Sequence, residues 1–330
     1  MNNETSAVVM TRYGPPEVLT WSRVSLPPLG PHEVRIRTLA SAVNHTDLEI
    51  RAGHWPIRKT PPFPYVPGVE VVGDIAEVGD AVTALVPGTR VVTMMQGMGG
   101  VRAERPGGYA ELVTVNADAV AIAPTAIAAA DLASIGLVGV TAYEGLKRIG
   151  PLAGKRILVT GAAGGIGSLA TAIAHAQGAT VVGVVSRPEQ AEYVRSLGAA
   201  ETLVISRDAP RLEIKPGSLD GVLDSVGGRL FDSCVQALRP GGVLSLVGAV
   251  DGGRVTFDLW PLIWPVTLTG YSSETLDGTA LRDAINTLAD LFLSGALKPP
   301  RQTRMPLSEA HRAHAHLEAG GVKGRVLLIP

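Results

Sequence analysis

The 330-residue sequence contains one cysteine, few aromatic residues and no excess of either charge. The single cysteine, Cys234, excludes a disulfide framework and a metal site built from several thiolates of one chain. A formal net charge of −1 disfavours a protein that recruits nucleic acid through its phosphates. Charged residues make up 18% of the chain and hydrophobic residues 46%, so disorder is disfavoured and a large core is expected.

Long apolar runs and a targeting leader are also missing. The first residues, MNNETSAVVM, carry no basic segment, and their apolar run is too short for a secretion signal. The most apolar stretch, residues 119–143, is interrupted by Pro124 and Asp131. It falls short of the ~20 uninterrupted apolar residues that a membrane helix needs. We therefore expect a cytosolic protein that does not enter a membrane.

The first part of the chain, up to about residue 124, has the pattern of short strands separated by turns. Pairs such as Pro67-Gly68 and Pro87-Gly88 mark the turns. This spacing predicts an antiparallel barrel or sandwich. The clearest predicted strands are residues 33–40, 69–79, 89–94 and 109–115.

From Asp131 onwards strands alternate with helices. The apolar runs ILVT, VVGVV and VLSLV are typical of parallel strands that are buried on both faces. Six such strands predict an α/β fold with a doubly wound parallel sheet. Strands are predicted at residues 156–160, 180–185, 201–205, 221–224, 243–247 and 266–270, and helices at 166–177, 189–197 and 229–238.

The strongest motif lies between the first of these strands and the following helix. Its residues AAGGIG correspond to the G-x-G-x-x-G pattern, with alanine in the first place. Glycines allow the backbone to approach a pyrophosphate, and the free N–H groups of the helix start bind its oxygens. The motif therefore predicts a dinucleotide site at Ala163, Gly164, Gly165, Ile166 and Gly167.

The end of the second predicted strand indicates which dinucleotide is bound. An NAD site usually places a carboxylate there, which bonds the ribose 2′-hydroxyl. This chain has Ser186 and Arg187 instead. A guanidinium can pair with a 2′-phosphate, so these two residues favour NADP(H) over NAD(H).

These motifs, with the phrases PGVEVVGDIAEVGD, GGYAELVTV, GVTAYEGL, GVLDSVGG and LRPGGVLSLVG, identify a family resemblance. The chain resembles the medium-chain dehydrogenase/reductase superfamily, and within it the zinc-independent quinone oxidoreductases, the zeta-crystallin-like branch. The resemblance implies a GroES-like, β-barrel-type catalytic domain at residues 1–127 and 271–330. It also implies a Rossmann domain at 128–270, an active site in the cleft between the two, NADPH as reductant and a homodimer.

Two substitutions separate the chain from the zinc alcohol dehydrogenases of that superfamily. Those enzymes carry a Cys-His-Ser/Thr-Asp phrase and a Gly-His-Glu phrase, whose cysteine and histidine bind the catalytic zinc. Here Asn44 stands in place of the cysteine and Val69 in place of the histidine. Neither residue suits zinc, and the four-cysteine zinc lobe is missing between Met95 and Tyr109. We therefore expect no metal.

Hydride addition without a metal needs an acceptor that is already electrophilic, such as a quinone or a conjugated enone. The Asn44 amide can donate hydrogen bonds to the developing enolate oxygen, and His45 can donate or relay a proton. By resemblance, Asn44 and Asp47 match polar positions near the nicotinamide. Asp47 is either a chemical group or a structural partner, and His45 is either a proton donor or a hydrogen-bonded histidine beside the cleft. No tyrosine stands where the family often has one, so solvent is a candidate source of the second proton.

Further site residues follow from the resemblance and from strand ends. Thr141 is expected beside the nicotinamide, and Arg325 is a candidate for additional positive charge near the cofactor. Strand ends face the ligand in open α/β sheets. The predicted strand-end contacts are Val247, Gly248, Ala249, Tyr271 and Ser272, and the predicted aromatic pocket residues are Trp55, Tyr65 and Trp264.

Two other features are expected to have no chemical role. The histidines His311, His314 and His316 crowd one predicted helix, and we expect them to be solvated rather than to bind a metal. Cys234 lies on an apolar helix without a neighbouring cation, so an inert buried thiol is expected.

The sequence thus predicts an NADPH-dependent, metal-free reductase of quinones or α,β-unsaturated carbonyls. A reductase of 2-enoyl thioesters is the alternative within the same chemistry, although no basic patch for the carrier phosphate is evident. An NADPH-binding or RNA-binding protein without catalysis, as known among zeta-crystallin relatives, is the alternative of another class. Its basic residues would be clustered, and here they are scattered.

Overall fold

The computed structural model describes residues 4–55, 63–95, 105–206, 209, 211–320 and 324–330. The chain divides into two compact units. Unit 1 comprises residues 1–137, 273–289 and 299–330, and unit 2 comprises residues 138–272 and 290–298. The domain limits given above, at 127/128 and 270/271, stay predictions.

The N-terminal part of the chain forms the strands of unit 1. All four strands predicted there are present, with ends shifted by up to three residues, because turn residues leave strand ends loosely determined. The elements are β1 (Glu4–Val9), β2 (Thr20–Ser25), β3 (Glu33–Ala42), α1 (His45–Ala52), β4 (Glu70–Val78), β5 (Arg90–Met94), β6 (Leu112–Asn116), β7 (Val120–Ile122) and α2 (Ala129–Lys147).

Unit 2 contains a six-stranded parallel sheet with the strand order β10-β9-β8-β11-β12-β13. This is the doubly wound order, in which the chain turns back at the centre of the sheet. Its elements are β8 (Arg156–Val159), α3 (Gly165–Ala176), β9 (Thr180–Val185), α4 (Ala191–Ser196), β10 (Ala199–Val204), β11 (Leu219–Asp224), α5 (Phe231–Gln236), β12 (Leu238–Leu246) and β13 (Thr267–Gly270).

The apolar runs of the sequence form the buried strands of this sheet. Leu158 of β8, Val182 of β9 and Val222 of β11 are completely buried, as strands covered on both faces require. The six predicted strands and three predicted helices are confirmed, and the doubly wound α/β fold with them. Cys234 is a free, buried thiol on α5, as expected.

The C-terminal part of the chain returns to unit 1. It forms α6 (Gly278–Leu293), β14 (Gln302–Pro306), α7 (Ala310–Glu318) and β15 (Arg325–Ile329). Strand β15 lies between β14 and β3, parallel to the first and antiparallel to the second. The resulting seven-stranded sheet of unit 1 has the order β14-β15-β3-β4-β5-β7, with β6 also paired to β3.

The core of unit 1 follows from alternation along these strands. Val34 and Ile36 of β3 point into the core, as do Val113 and Val115 of β6, which pairs with β3. Buried residues therefore alternate along these strands with the period of two that the sequence shows. In the part of the chain that the structure describes, no helix is both long and apolar enough to cross a membrane.

The expectation that the three C-terminal histidines are solvated is wrong for one of them. His314 of α7 is completely buried, whereas His316 on the same helix is exposed. The sequence pattern could not separate them, because a lone polar residue on a helix does not reveal whether the fold supplies it with partners.

Candidate active site

The glycine-rich turn of unit 2 connects β8 to α3. Helix α3 begins at Gly165, with Gly164 as its N-cap, so the first N–H groups of the helix are available to an anion. The backbone of Gly161, which precedes the helix, has a φ of +58°, a left-handed conformation that favours glycine. Ala163, Gly164, Gly165 and Ile166 all retain exposed surface. The turn thus leaves the first N–H groups of α3 open to an anion, as the predicted pyrophosphate site requires.

Gly167 is the residue in this turn that tolerates no side chain. A Cβ atom there would overlap the carbonyl oxygen of Gly161. We expect Gly167→Ala to destabilise the protein by about 1–3 kcal/mol and to weaken NADPH binding, because α3 would be pushed away from β8. Fluorescence titration with NADPH and urea unfolding measure both effects. The control is Gly253→Ala, where a Cβ meets nothing within 4 Å, and equal behaviour of the two variants would contradict the close packing.

Ser186 and Arg187 follow directly on the carboxyl end of β9. The side-chain oxygen Oε1 of Gln190 accepts hydrogen bonds from both backbone N–H groups of this pair, at 3.2 and 3.1 Å. The turn is therefore held in one conformation. The Arg187 guanidinium is exposed and lies 3.1 Å from the carboxylate of Glu189, a group that the sequence argument did not consider. An exposed ion pair of this kind contributes only ~0–1 kcal/mol, so a phosphate can replace the carboxylate as partner.

The other residues predicted to contact the cofactor lie at strand ends or on α2. Val247, Gly248 and Ala249 follow β12, and the Val247 N–H donates to the carbonyl of Asp224 at the end of β11. Thr141 is buried on α2, and Ser272 is exposed after β13.

Tyr271, directly after β13, lies close to charged side chains at and just after the end of α2. The Arg148 guanidinium lies 4.6 Å from the centre of its ring. Burial and the negative charge of Glu144 raise the pKa of Tyr271 above its usual value, while Arg148 opposes this shift. Its hydroxyl has no hydrogen-bond partner among the described residues. The neutral phenol therefore keeps a donor and an acceptor for another molecule, which suits the predicted contact with the cofactor.

In unit 1, Asn44 is the N-cap of α1 and its side chain is buried. Its amide nitrogen donates to Glu70 Oε1 at 2.8 Å and to the carbonyl of Ala42 at 3.3 Å. Its amide oxygen accepts from Arg325 Nη2 at 2.7 Å. These partners fix the orientation of the amide, and they occupy both of its N–H donors. Both N–H groups of the amide are therefore engaged within unit 1, and the predicted donation of this amide to a substrate stays a prediction.

Glu70 and Arg325 form a buried ion pair around Asn44. Arg325 Nη2 lies 3.3 Å from Glu70 Oε1, and the second carboxylate oxygen accepts from the Leu137 N–H at 2.8 Å. Gly136 allows this approach, since a Cβ there would lie 2.5 Å from that oxygen. Burial raises the pKa of Glu70, and the Arg325 charge opposes the shift.

Arg325, a candidate for positive charge near the cofactor, has its described contacts in unit 1. Its guanidinium is buried against Asn44 and Glu70, and a contact with the cofactor stays a prediction. The prediction relied on positive charge alone, which does not reveal that a carboxylate is the partner. Sequence reasoning also did not assign a role to Glu70, although a lone carboxylate in the apolar run VEVVG was a signal that could have found it.

Asp47 and His45 differ sharply in their surroundings. Asp47 is completely buried, and its two carboxylate oxygens accept from the N–H groups of Asn44, at 2.8 Å, and Val69, at 3.0 Å. Burial raises its pKa to about 7. His45, in contrast, is exposed at the start of α1. Partial desolvation and the Arg325 charge lower its pKa, so the imidazole is neutral at pH 7.

The three predicted pocket residues differ in burial and belong to two different units. Tyr65 is buried in unit 1, and Trp55 is partly exposed just after α1. Trp264 belongs to unit 2 and is 66% exposed, so within that unit it does not form the wall of an enclosed pocket. Exposed tryptophan is more typical of a contact surface than of a packed wall.

The two positions where zinc ligands stand in related enzymes are both buried here. The Val69 side chain has no atom that can bind a metal, and the Asn44 amide is hydrogen-bonded to Glu70 and Arg325. Across the described residues, which omit 96–104 of the lobe region, no group of three or more His, Cys, Asp or Glu side chains is placed to hold a metal ion. The donor chemistry at these two positions does not suit zinc.

Unit 2 and the glycine-rich turn define a dinucleotide-binding protein of the dehydrogenase and reductase class. Family models agree with this: an alcohol dehydrogenase GroES-like domain matches residues 30–125, and a zinc-binding dehydrogenase domain matches residues 165–291. The chain belongs to the medium-chain dehydrogenase/reductase superfamily, in its quinone oxidoreductase or zeta-crystallin-like branch, and is an oxidoreductase.

Individual relatives extend over nearly the whole chain. The NADPH-dependent alkenal/one oxidoreductase of Arabidopsis thaliana is 32% identical over 99% of this chain and 80% of its own length. The quinone oxidoreductase of Pseudomonas aeruginosa is 31% identical, covering 96% and 97% of the two chains. The crystal structure of Escherichia coli quinone oxidoreductase complexed with NADPH matches with a TM-score of 0.84, at 27% identity over 98% of this chain and 100% of that one.

Proposed function

We propose that the protein is an NADPH-dependent, metal-free reductase that transfers a hydride to a quinone or to the C=C bond of an α,β-unsaturated carbonyl. The observation that carries the proposal is the turn after β9. There Ser186 and Arg187, and not a carboxylate, directly follow the strand, and the neighbouring strand β8 leads to the start of α3 with its free N–H groups. The relatives named for NADPH-dependent reduction of alkenals and for quinones support the same reaction.

The residues of unit 2 fit the cofactor. The N–H groups at the start of α3 would bind the pyrophosphate, and Arg187 with Ser186 would bind the 2′-phosphate. Thr141, Tyr271 and Ser272 are the proposed partners of the nicotinamide end. When bound, NADPH supplies the hydride that adds to an electrophilic carbon of the acceptor.

In unit 1 the proposed chemical group is His45. Its imidazole is exposed and neutral, so one ring N–H can donate to an oxygen that gains negative charge. Asn44 and Asp47 hold the turn on which His45 stands, through the hydrogen bonds described above. An acceptor that is conjugated needs no stronger electrophile than such a neutral donor.

The test is NADPH oxidation, followed by the loss of NADPH absorbance, with a quinone, an alkenal or enone, and a 2-enoyl thioester. Turnover of the first two supports the proposal. Faster turnover of the thioester identifies the alternative reaction. Tight NADPH binding without turnover of any of the three acceptors refutes the proposed reaction. An RNA-binding assay then tests the non-catalytic alternative.

We further propose that the protein is a homodimer of the cytosol. Residues 250–264 of unit 2 carry seven exposed large apolar side chains, five of which are more than half exposed, and β13 is an edge strand of the sheet. A second copy related by a twofold axis can pair its own β13 edge antiparallel to this one and cover the apolar face. The most exposed of these side chains are Val250, Leu259, Trp260, Ile263 and Trp264, each 65–72% exposed.

We expect Ile263→Asp to convert the dimer to a monomer, because a buried carboxylate at the interface would be unpaired. Light scattering coupled to gel filtration measures the mass directly. Val86→Asp, at a single exposed valine of unit 1, is the control and is expected to leave the mass unchanged. A wild-type monomer, or an Ile263→Asp dimer, would contradict the interface.

A further inference from the structure

The phrase GVLDSVGG contributes to the family resemblance, but the proposed reaction uses none of its side chains. Asp224, the last residue of β11, and Ser225, which follows it, both hydrogen-bond Thr160, directly after β8. We call Asp224, Ser225 and Thr160 the clasp. Asp224 and Thr160 are completely buried, so their polar groups depend on partners within the protein.

The Asp224 carboxylate holds the clasp through one of its oxygens. Its Oδ1 atom accepts hydrogen bonds from the Thr160 hydroxyl at 2.6 Å and from the N–H groups of Val226, at 2.9 Å, and Gly227, at 3.1 Å. The other oxygen, Oδ2, is buried and has no hydrogen-bond partner among the described residues. The three donors thus converge on a single atom, and hydrogen bonds to a carboxylate are stronger than those between neutral groups.

Thr160 and Ser225 are bound to each other in both directions. The Thr160 hydroxyl, which donates to Asp224, also accepts from the Ser225 N–H at 2.9 Å. The Ser225 hydroxyl donates to the Thr160 carbonyl at 3.0 Å. The Thr160 N–H donates to the carbonyl of Leu223 in β11 at 3.1 Å. Moving the end of β8 away from the end of β11 would therefore break all of these hydrogen bonds together.

The clasp adjoins the glycine-rich turn, which begins at the next residue, Gly161. A Cβ atom at Gly161 would lie 3.0 Å from Ser225 Oγ, so Ser225 lies against the left-handed residue of the turn. On the other side, the Ala162 N–H donates to the carbonyl of Val184 in β9 at 2.9 Å. The turn is therefore held between β9 and the loop that follows β11.

The clasp also contacts the loop after β12, which contains the predicted cofactor contacts Val247 and Gly248. The Val247 N–H donates to the Asp224 carbonyl at 2.8 Å. A Cβ atom at Gly248 would lie 2.9 Å from the Ser225 carbonyl oxygen, so the two loops pass close to each other. The glycine-rich turn and the loop after β12 are thus connected through Asp224 and Ser225.

The position of the clasp in the sheet points to the cofactor. Strands β8 and β11 are the central pair at which the strand order reverses, and ligands of open α/β sheets lie outside the carboxyl ends of strands at this point. Backbone hydrogen bonds already pair the two strands. The bonds of the clasp act beyond the strand ends, on the loops that would face the ligand.

We propose that the clasp positions the cofactor site: Asp224, Thr160 and Ser225 hold the glycine-rich turn in its binding conformation before NADPH arrives. A turn that is already ordered loses less conformational entropy when the ligand binds, so the affinity rises without a contact to the ligand. The three are positioning residues, since they act through the turn. The inference rests on the proposed function, in which this turn binds the pyrophosphate.

The test is the dissociation constant of NADPH for Thr160→Val, measured by fluorescence titration. Valine is close to threonine in shape but has no hydroxyl, so Asp224 loses one donor and the Ser225 N–H loses its acceptor. We expect the dissociation constant to rise by about 10-fold, the equivalent of one buried hydrogen bond. KM for NADPH should rise with it and kcat at saturating NADPH should stay unchanged, because the bound cofactor restores the turn.

Two further variants separate positioning from general stability. Thr160→Ser retains the hydroxyl and should bind NADPH as the wild type does. Ser233→Ala is the control, since the buried hydroxyl of Ser233 on α5 accepts from the Leu212 N–H at 3.1 Å. It should lower the free energy of unfolding and leave the dissociation constant unchanged. An unchanged dissociation constant in Thr160→Val, or an equal rise in Thr160→Val and Ser233→Ala, would overturn the proposal.

A second readout depends neither on the reaction nor on the cofactor. Hydrogen exchange followed by mass spectrometry reports how often the turn opens in the protein without ligand. Exchange in residues 161–165 should be about 10-fold faster in Thr160→Val, the same factor as for the dissociation constant, and unchanged in Ser233→Ala. If the wild type does not bind NADPH but Thr160→Val accelerates exchange, the proposed function is refuted and the hold of the clasp on the turn stands. Unchanged exchange in Thr160→Val refutes the clasp.

Discussion

Arg325→Met should lower the free energy of unfolding by about 3–5 kcal/mol, the usual result of breaking a buried ion pair. The substitution leaves the Glu70 carboxylate buried without its cation, and it removes the donor of the Asn44 amide oxygen. Urea unfolding followed by circular dichroism measures the loss. Because the same residues hold the turn of Asn44 and His45, which we propose as part of the active site, activity should fall with stability.

The control and a second variant separate charge from packing. Arg304→Met lies on the neighbouring strand β14, is exposed, and should change stability by less than ~0.5 kcal/mol. Adding Glu70→Gln to Arg325→Met removes the unpaired charge and should recover part of the loss. Additive effects of the two substitutions would show that Glu70 and Arg325 do not form a coupled pair.

Arg187→Ser should lower kcat/KM for NADPH by about 10- to 100-fold and leave kcat/KM for NADH nearly unchanged. The expected loss corresponds to one charge-assisted hydrogen bond between the guanidinium and the 2′-phosphate. Steady-state kinetics with both cofactors and one acceptor gives the ratio of kcat/KM for NADPH to kcat/KM for NADH. Glu189→Gln should raise this ratio, since it frees Arg187 from its present ion pair.

Arg195→Ser is the matched control for this prediction. Arg195 is an exposed arginine of α4 in the same unit, bonded to Thr202, and we expect no change in cofactor preference. An equal loss in both variants would mean that general positive charge attracts the cofactor. An equal loss with NADPH and NADH in Arg187→Ser would contradict the assignment of the 2′-phosphate to Arg187.

The features that the sequence predicted correctly are local ones. The six strands of unit 2 could be located because continuous apolar runs belong to strands covered on both faces, and the glycine-rich turn because its spacing is short and regular. The burial of Cys234 followed from its place on an apolar helix. In each case the residues that determine the structure are within one or two elements of each other.

The environment of the turn of Asn44 and His45 could not be predicted in this way. Asn44 meets Arg325, 281 positions later in the chain, because β15 inserts between β14 and β3. Likewise Arg51 meets His314, 263 positions later. No periodicity or motif spacing in the sequence indicates contacts between residues so far apart. The sequence alone therefore suggested a free amide at Asn44, a cofactor contact for Arg325 and a solvated His314.

The sequence by itself therefore determined the dinucleotide-binding fold and the residue types that replace zinc ligands at positions 44 and 69. The tertiary structure alone decided which polar side chains are already occupied. The physical reason is that a buried donor or acceptor must find a partner, and the partner is chosen by the packing of distant strands and helices. At this site that packing leaves His45 exposed and engages Asn44, Asp47 and Arg325.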